Sequence, residues 1–129
     1  MRKLILILLL IAAGIFLFAG RSAIPHPVYI ELHDSEGNLP MADNLEVNCW
    51  LKHKPEEVLD MQNSNLIYPI IDIFLQIQCA GFGSWGAGDT LHVEILDKKI
   101  NESLTLDLEL NFDNYQLFNN NHLKKVEKE

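Results

Sequence analysis

The sequence predicts an all-β fold: a mostly antiparallel β-sandwich, immunoglobulin-like or prealbumin-like, behind an N-terminal signal segment. Three observations carry this. Apolar residues recur at every second position in several segments, turn residues punctuate those segments, and no amphipathic helical period intervenes.

The chain opens on Met1-Arg2-Lys3 and then an apolar run from Leu4 to Gly20. A charged start followed by an apolar stretch and small residues has the form of a secretory signal, so residues 1–22 are read as a signal peptide and the mature chain is expected to begin near Ala23. An uncleaved anchor is the alternative, because the run just reaches the roughly 17 residues that a membrane-spanning helix needs. Either way the domain is expected outside the cytoplasm, in the periplasm, at the cell surface or in the medium. The membrane would be met only through the N-terminal segment, if it is retained.

The formal charge of −8 becomes −11 once Arg2, Lys3 and Arg21 are removed. An acidic chain of this size is repelled by phosphate backbones, so nucleic acid is excluded as a partner class. The remainder suffices for one domain with one core.

Residues 23–27 read as an extended linker, since Pro25 and Pro27 fix their own φ and push the preceding residue out of the helical region. The sandwich is expected over residues 28–118. Val28, Ile30 and Leu32 alternate with polar positions, and the Asp34–Asn38 stretch ends that strand in a turn, with Asp34 bonding nearby amides and Gly37 at positive φ. A second strand over Leu45–Leu51 turns Leu45, Val47, Cys49 and Leu51 inward and leaves Glu46, Asn48, Trp50 and Lys52 outside. His53 to Ser64 is read as a loop with a short edge strand, in preference to a helical turn opened by Pro55. A third strand is expected from Ile71 to Cys79, a fourth from Thr90 to Asp97, and a fifth from Ser103 to Asn111 with Leu104, Leu106, Leu108 and Leu110 inward. Leucine favours helices, but the spacing of two outranks propensity in that segment. Tyr115 to Phe118 is a short last strand, and residues 119–129 form a polar tail expected to fray or extend past the fold.

Several patterns invite a chemical reading. Gly81-Phe82-Gly83-Ser84-Trp85-Gly86 matches a dinucleotide-binding string, yet Gly86 leads into an alternating strand and not into the helix whose N-terminus would hold a pyrophosphate. Phe82 and Trp85 therefore either cap the core or form a contact loop. His26, His33, His53, His92 and His122 show no ligand spacing for zinc and are expected on the surface. Asp34, Glu36 and Asn38 alternate like calcium ligands, but Leu39 and Leu45 stand where an EF-hand needs Gly and Glu. No local motif places a Ser, His and Asp set. No cofactor, metal or catalytic residue is expected.

Cys49 and Cys79 are the only cysteines. Both fall on inward positions of expected strands in an exported chain, so a disulfide is expected between them, against the alternative of two buried thiols.

Ile30-x-Leu32-x-Asp34-x-x-Gly37, followed by Pro40 and the strand around Val47, resembles the opening hairpin of prealbumin-like sandwiches such as carboxypeptidase regulatory-like modules. Trp85-x-x-Gly88-Asp89-x-Leu91-x-Val93 is similar to a strand entry in small modules of secreted bacterial proteins. One departure is that Gly37 and Pro40 stand three apart, where those modules usually have two. The resemblance implies a noncatalytic structural or binding unit with no catalytic residues to carry over. The expected function is thus an exported module that binds a protein or a carbohydrate. A small hydrolase or hydrolase inhibitor with working residues in loops is the alternative.

Overall fold

Residues 24–126 are described by a computed structural model, so the signal segment read at residues 1–22 and its junction at Ala23 lie outside them. Among the described residues no helix is long and apolar enough to cross a membrane.

The strands are β1 (Pro27–His33), β2 (Leu45–Leu51), β3 (Lys54–Asp60), β4 (Leu66–Ile70), β5 (Phe74–Gln78), β6 (Thr90–Asp97), β7 (Glu102–Glu109), β8 (Gln116–His122) and β9 (Lys124–Lys125). They form two sheets, a four-stranded one in the order β4-β5-β1-β8 and a five-stranded one in the order β3-β2-β6-β7-β9. Neighbours pair antiparallel throughout except β1 and β8, which run parallel.

The period of two puts the core where the sequence expects it. Val28, Ile30 and Leu32 of β1 and Leu75 and Ile77 of β5 are fully buried, as are Val47, Cys49 and Leu51 of β2 and Leu91 and Val93 of β6. In β7 and just after it, Leu108 and Leu110 are buried, while Leu104 and Leu106 only pack against the core's margin. The turn after β1 also forms as read. Asp34 Oδ1 accepts the amides of Glu36 at 2.8 Å and Asn38 at 2.9 Å, and Gly37 sits at φ 84°. Buried Glu102 of β7 clamps this turn by accepting the Ser35 amide at 2.8 Å and the Ser35 hydroxyl.

Several expectations are corrected. The segment after β1 does not close a hairpin: β1 and β2 lie in different sheets, and residues 34–44 cross between them. The stretch His53 to Ser64 does hold an edge strand, but a longer one than read: β3 takes seven residues, at the sheet edge where Pro55 costs no ladder hydrogen bond. The expected strand Ile71 to Cys79 is the second half of a hairpin. Ile71 and Asp72 turn the chain at φ 50° and 70°, and Cys79 opens a short 3-10 turn, Cys79–Phe82. A β-branched residue in the left-handed region is rare, so alternation ran on through a turn that carries no glycine to mark it. The polar tail is not frayed over its first part: β8 continues to His122, Leu123 is fully buried, and β9 joins the other sheet. Nor is the linker wholly outside the fold, because Pro27 starts β1 and His26 is only 1 % exposed.

Candidate functional site

The glycine-rich segment between β5 and β6 is the first place to look, and it is core. Phe82 is 1 % and Trp85 is 7 % exposed. Trp85 Nε1 donates to the Ile24 carbonyl at 2.9 Å, and its ring lies 4.8 Å from His26 and 5.5 Å from Phe112. The two aromatics therefore close one end of the sandwich and leave little surface for a partner. Gly81 is required there, because a Cβ would stand 2.7 Å from the Asn65 side chain. After Gly86 the chain enters β6 and not a helix, so the segment lacks the helix N-terminus on which a dinucleotide-binding turn relies.

Cys49 and Cys79 are not bonded: both are free and buried. Cys49 belongs to β2 of the five-stranded sheet, while Cys79 has left β5 for the 3-10 turn, where strand alternation no longer fixes its direction. Burial pushes both thiols up to about 12, and for Cys49 the neighbouring Cys79 and Asp60 add to it. Alkylation at about pH 8 is thus expected to spare the native protein, since the thiolate is the reactive form. In unreduced, unfolded material both thiols should be modified, and a mass without two adducts would show a bond.

The histidines are not a uniform surface set. His26 is buried, with Nδ1 2.8 Å from the Asp113 carbonyl and Nε2 2.6 Å from Gln116 Oε1. His33 stacks on His122 at 5.2 Å across the parallel β1 and β8 pair and bonds Glu31 at 2.7 Å. That hydrogen bond is the main reason Glu31 is held below its usual pKa. His53 stands 3.8 Å from Asp89. Among the described residues no group of three or more His, Cys, Asp or Glu side chains is arranged to hold a metal ion.

The most developed side-chain constellation is on the outer face of the five-stranded sheet. Register pairs Trp50 of β2 with His92 of β6, and His92 with Asp107 of β7, so the three form one row across the sheet. The Trp50 ring lies 4.6 Å from the His92 ring, tilted by 38°. His92 Nδ1 reaches Asp107 Oδ1 at 2.7 Å and Nε2 reaches Glu94 Oε1 at 3.1 Å, while Lys52 Nζ meets Asp107 Oδ2 at 3.1 Å. Partial burial opposes charge on His92, but the two carboxylates together outweigh it and raise its pKa. Asp107 is held below its usual value, first by the His92 bond and then by Lys52. The next row sets Asn48, Glu94 and Thr105 side by side, and beyond it a shallow groove of about 340 Å³ is lined by Glu46, Leu96 and Ser103 as well.

Alternation alone puts Asn48, Trp50, His92 and Asp107 outside, but only the pairing register brings them into one patch. Compared with protein-family models, with curated proteins and with solved structures, the chain matches none.

Proposed function

We propose that this chain is a noncatalytic exported module that binds carbohydrate through the outer face of its five-stranded sheet. The observation that carries the reading is Trp50, partly exposed and flanked on that face by Asn48, Lys52, Glu94, Thr105 and Asp107. A sugar ring offers an apolar C–H face and a rim of hydroxyls. An indole plane takes the first, and ionised carboxylates, an amide and a hydroxyl take the second. A neutral polyhydroxylated ligand also meets no penalty from the chain's charge of −8.

The hydrolase alternative is disfavoured by the state of His92. Both its ring nitrogens already lie within hydrogen-bond distance of carboxylates, so neither is open to a nucleophile. The sandwich type we infer is prealbumin-like. The placement of β1 and β2 in opposite sheets supports it, since the immunoglobulin order keeps its first two strands in one sheet. The charged start and apolar run in the sequence of residues 1–22 support export.

Calorimetric titration with neutral hexasaccharides of β-linked glucose, mannose and N-acetylglucosamine tests the reading. At least one should bind, and Trp50→Ala should weaken it more than about tenfold, which is about 1.4 kcal/mol, with an unchanged melting temperature. No binding to any of the three, or equal binding by Trp50→Ala, would remove carbohydrate as the ligand.

A further inference from the structure

His26 stands immediately before β1, buried at the end of the sandwich where the chain enters. Its main chain is fixed from the β5 side: the amide donates to Gln78 Oε1 at 2.6 Å, and the carbonyl accepts the Cys79 amide at 3.1 Å. Its ring packs on Trp85 and bridges two groups on the chain that links β7 to β8. Nδ1 lies 2.8 Å from the Asp113 carbonyl and Nε2 lies 2.6 Å from Gln116 Oε1. A carbonyl oxygen can only accept. The Gln116 amide cannot turn its NH2 group to the ring, because its Oε1 also accepts the Asn111 amide at 3.0 Å and its Nε2 donates to the Glu109 carbonyl at 2.9 Å. Both contacts therefore demand a donor from the ring. Neutral imidazole carries one N–H, and imidazolium carries two.

We propose that the fold holds His26 as imidazolium, and that its proton is a pH-sensitive clasp joining the entry of β1 to the segment just ahead of β8. A buried cation is tolerated only where each N–H finds an acceptor, as both do here. The charged and titratable groups on the surrounding elements are engaged elsewhere or exposed. Burial pushes the Cys79 thiol up to about 12, Asp89 accepts the Gly86 amide at 2.7 Å and faces His53, Lys54 reaches the Ser84 hydroxyl at 2.5 Å, and Glu109 and Asp113 are exposed. Histidines exchange their proton between about pH 5 and about pH 8, so acidity in that range sets the clasp. When the proton leaves, one contact sets two lone pairs against each other and must open. Gln116 is held by two further bonds and starts β8 opposite Val28, so the Asp113 carbonyl is the one that yields. That carbonyl belongs to four exposed residues, 112–115, among which the Phe112 ring lies 5.5 Å from that of Trp85. Acid thus closes the aromatic end of the sandwich, and this stabilisation is lost as pH rises. The Trp50 face, on the other sheet, takes no part.

Nitrogen–proton correlation spectra that report the imidazole nitrogens, recorded on the exported protein with its natural N-terminus from about pH 5 to about pH 8.5, test the clasp. If the apolar N-terminal segment is retained, all samples share one detergent. At the acid end both ring nitrogens of His26 should carry a proton. As pH rises Nδ1 should lose its proton while Nε2 keeps it, and the amide signals of residues 112–115 should move with the same midpoint. His26→Gln, whose side chain does not titrate, should abolish that movement of the loop amides. The Asp113 carboxylate remains in this variant, so any movement of its own making is subtracted. Should His26→Gln fail to fold, the ring spectra of the wild type decide by themselves. A ring nitrogen of His26 that is bare at the acid end, a proton that does not leave by the alkaline end, or loop amides that move equally in His26→Gln overturns the clasp.

Discussion

Replacing Leu75 with Asp is expected to abolish folding, leaving a circular dichroism spectrum without a cooperative thermal transition. Leu75 is fully buried on β5, which lies between β4 and β1, and it stands opposite Ile30, also fully buried. The variant loses the leucine contacts and buries a carboxylate with no partner. The first effect is about 2–5 kcal/mol for truncation of a core leucine, and the second adds several more. Together they come to about 5–10 kcal/mol, most or all of the stability of a domain in the lower part of the roughly 5–15 kcal/mol range. Leu75→Ala separates the two effects: it should fold, destabilised by about 2–5 kcal/mol. A melting temperature like that of the wild type for Leu75→Asp would mean that β5 does not present this face to the core.

Alanine at Phe82 or at Trp85 should each cost about 3–5 kcal/mol, as expected for a buried aromatic. In a domain of this size that lowers the melting temperature by more than about 10 °C. Phe82 contributes through packing alone. Trp85 also satisfies the Ile24 carbonyl and packs on buried His26, so its loss loosens the entry of the chain into β1. Trp85→Phe keeps most of the packing but drops the hydrogen bond, and should fall between wild type and Trp85→Ala. Unchanged melting in both alanine variants would contradict the burial of these rings.

How much of this was legible depends on whether the information is local. The alternation in β1, β2, β6 and β7 is a property of each segment alone, and so is the Asp34 turn, whose carboxylate reaches amides two and four residues on. The β4 to β5 turn was hidden because its left-handed positions are Ile71 and Asp72, with neither glycine nor asparagine to announce them. β3 was only partly legible, as a short edge strand within a loop, because an edge strand need not alternate and Pro55, Glu56 and Glu57 do not. β8 pairs parallel to β1, a contact between the two ends of the domain, and its Asn119-Asn120-Asn121 stretch carries no apolar period. The same limit governs the candidate site. That Trp50, His92 and Asp107 are outward can be read from each strand, but that they adjoin follows from long-range register.

The most direct test of the carbohydrate face is a nitrogen–proton correlation spectrum recorded while the best-binding of the three hexasaccharides is added. The account predicts that shifts concentrate at Asn48, Trp50, His92, Glu94, Thr105 and Asp107, with the Trp50 indole signal moving and that of buried Trp85 unmoved. Shifts confined to the loops, or to Tyr29, Phe74 and Leu117 on the opposite sheet, would contradict it.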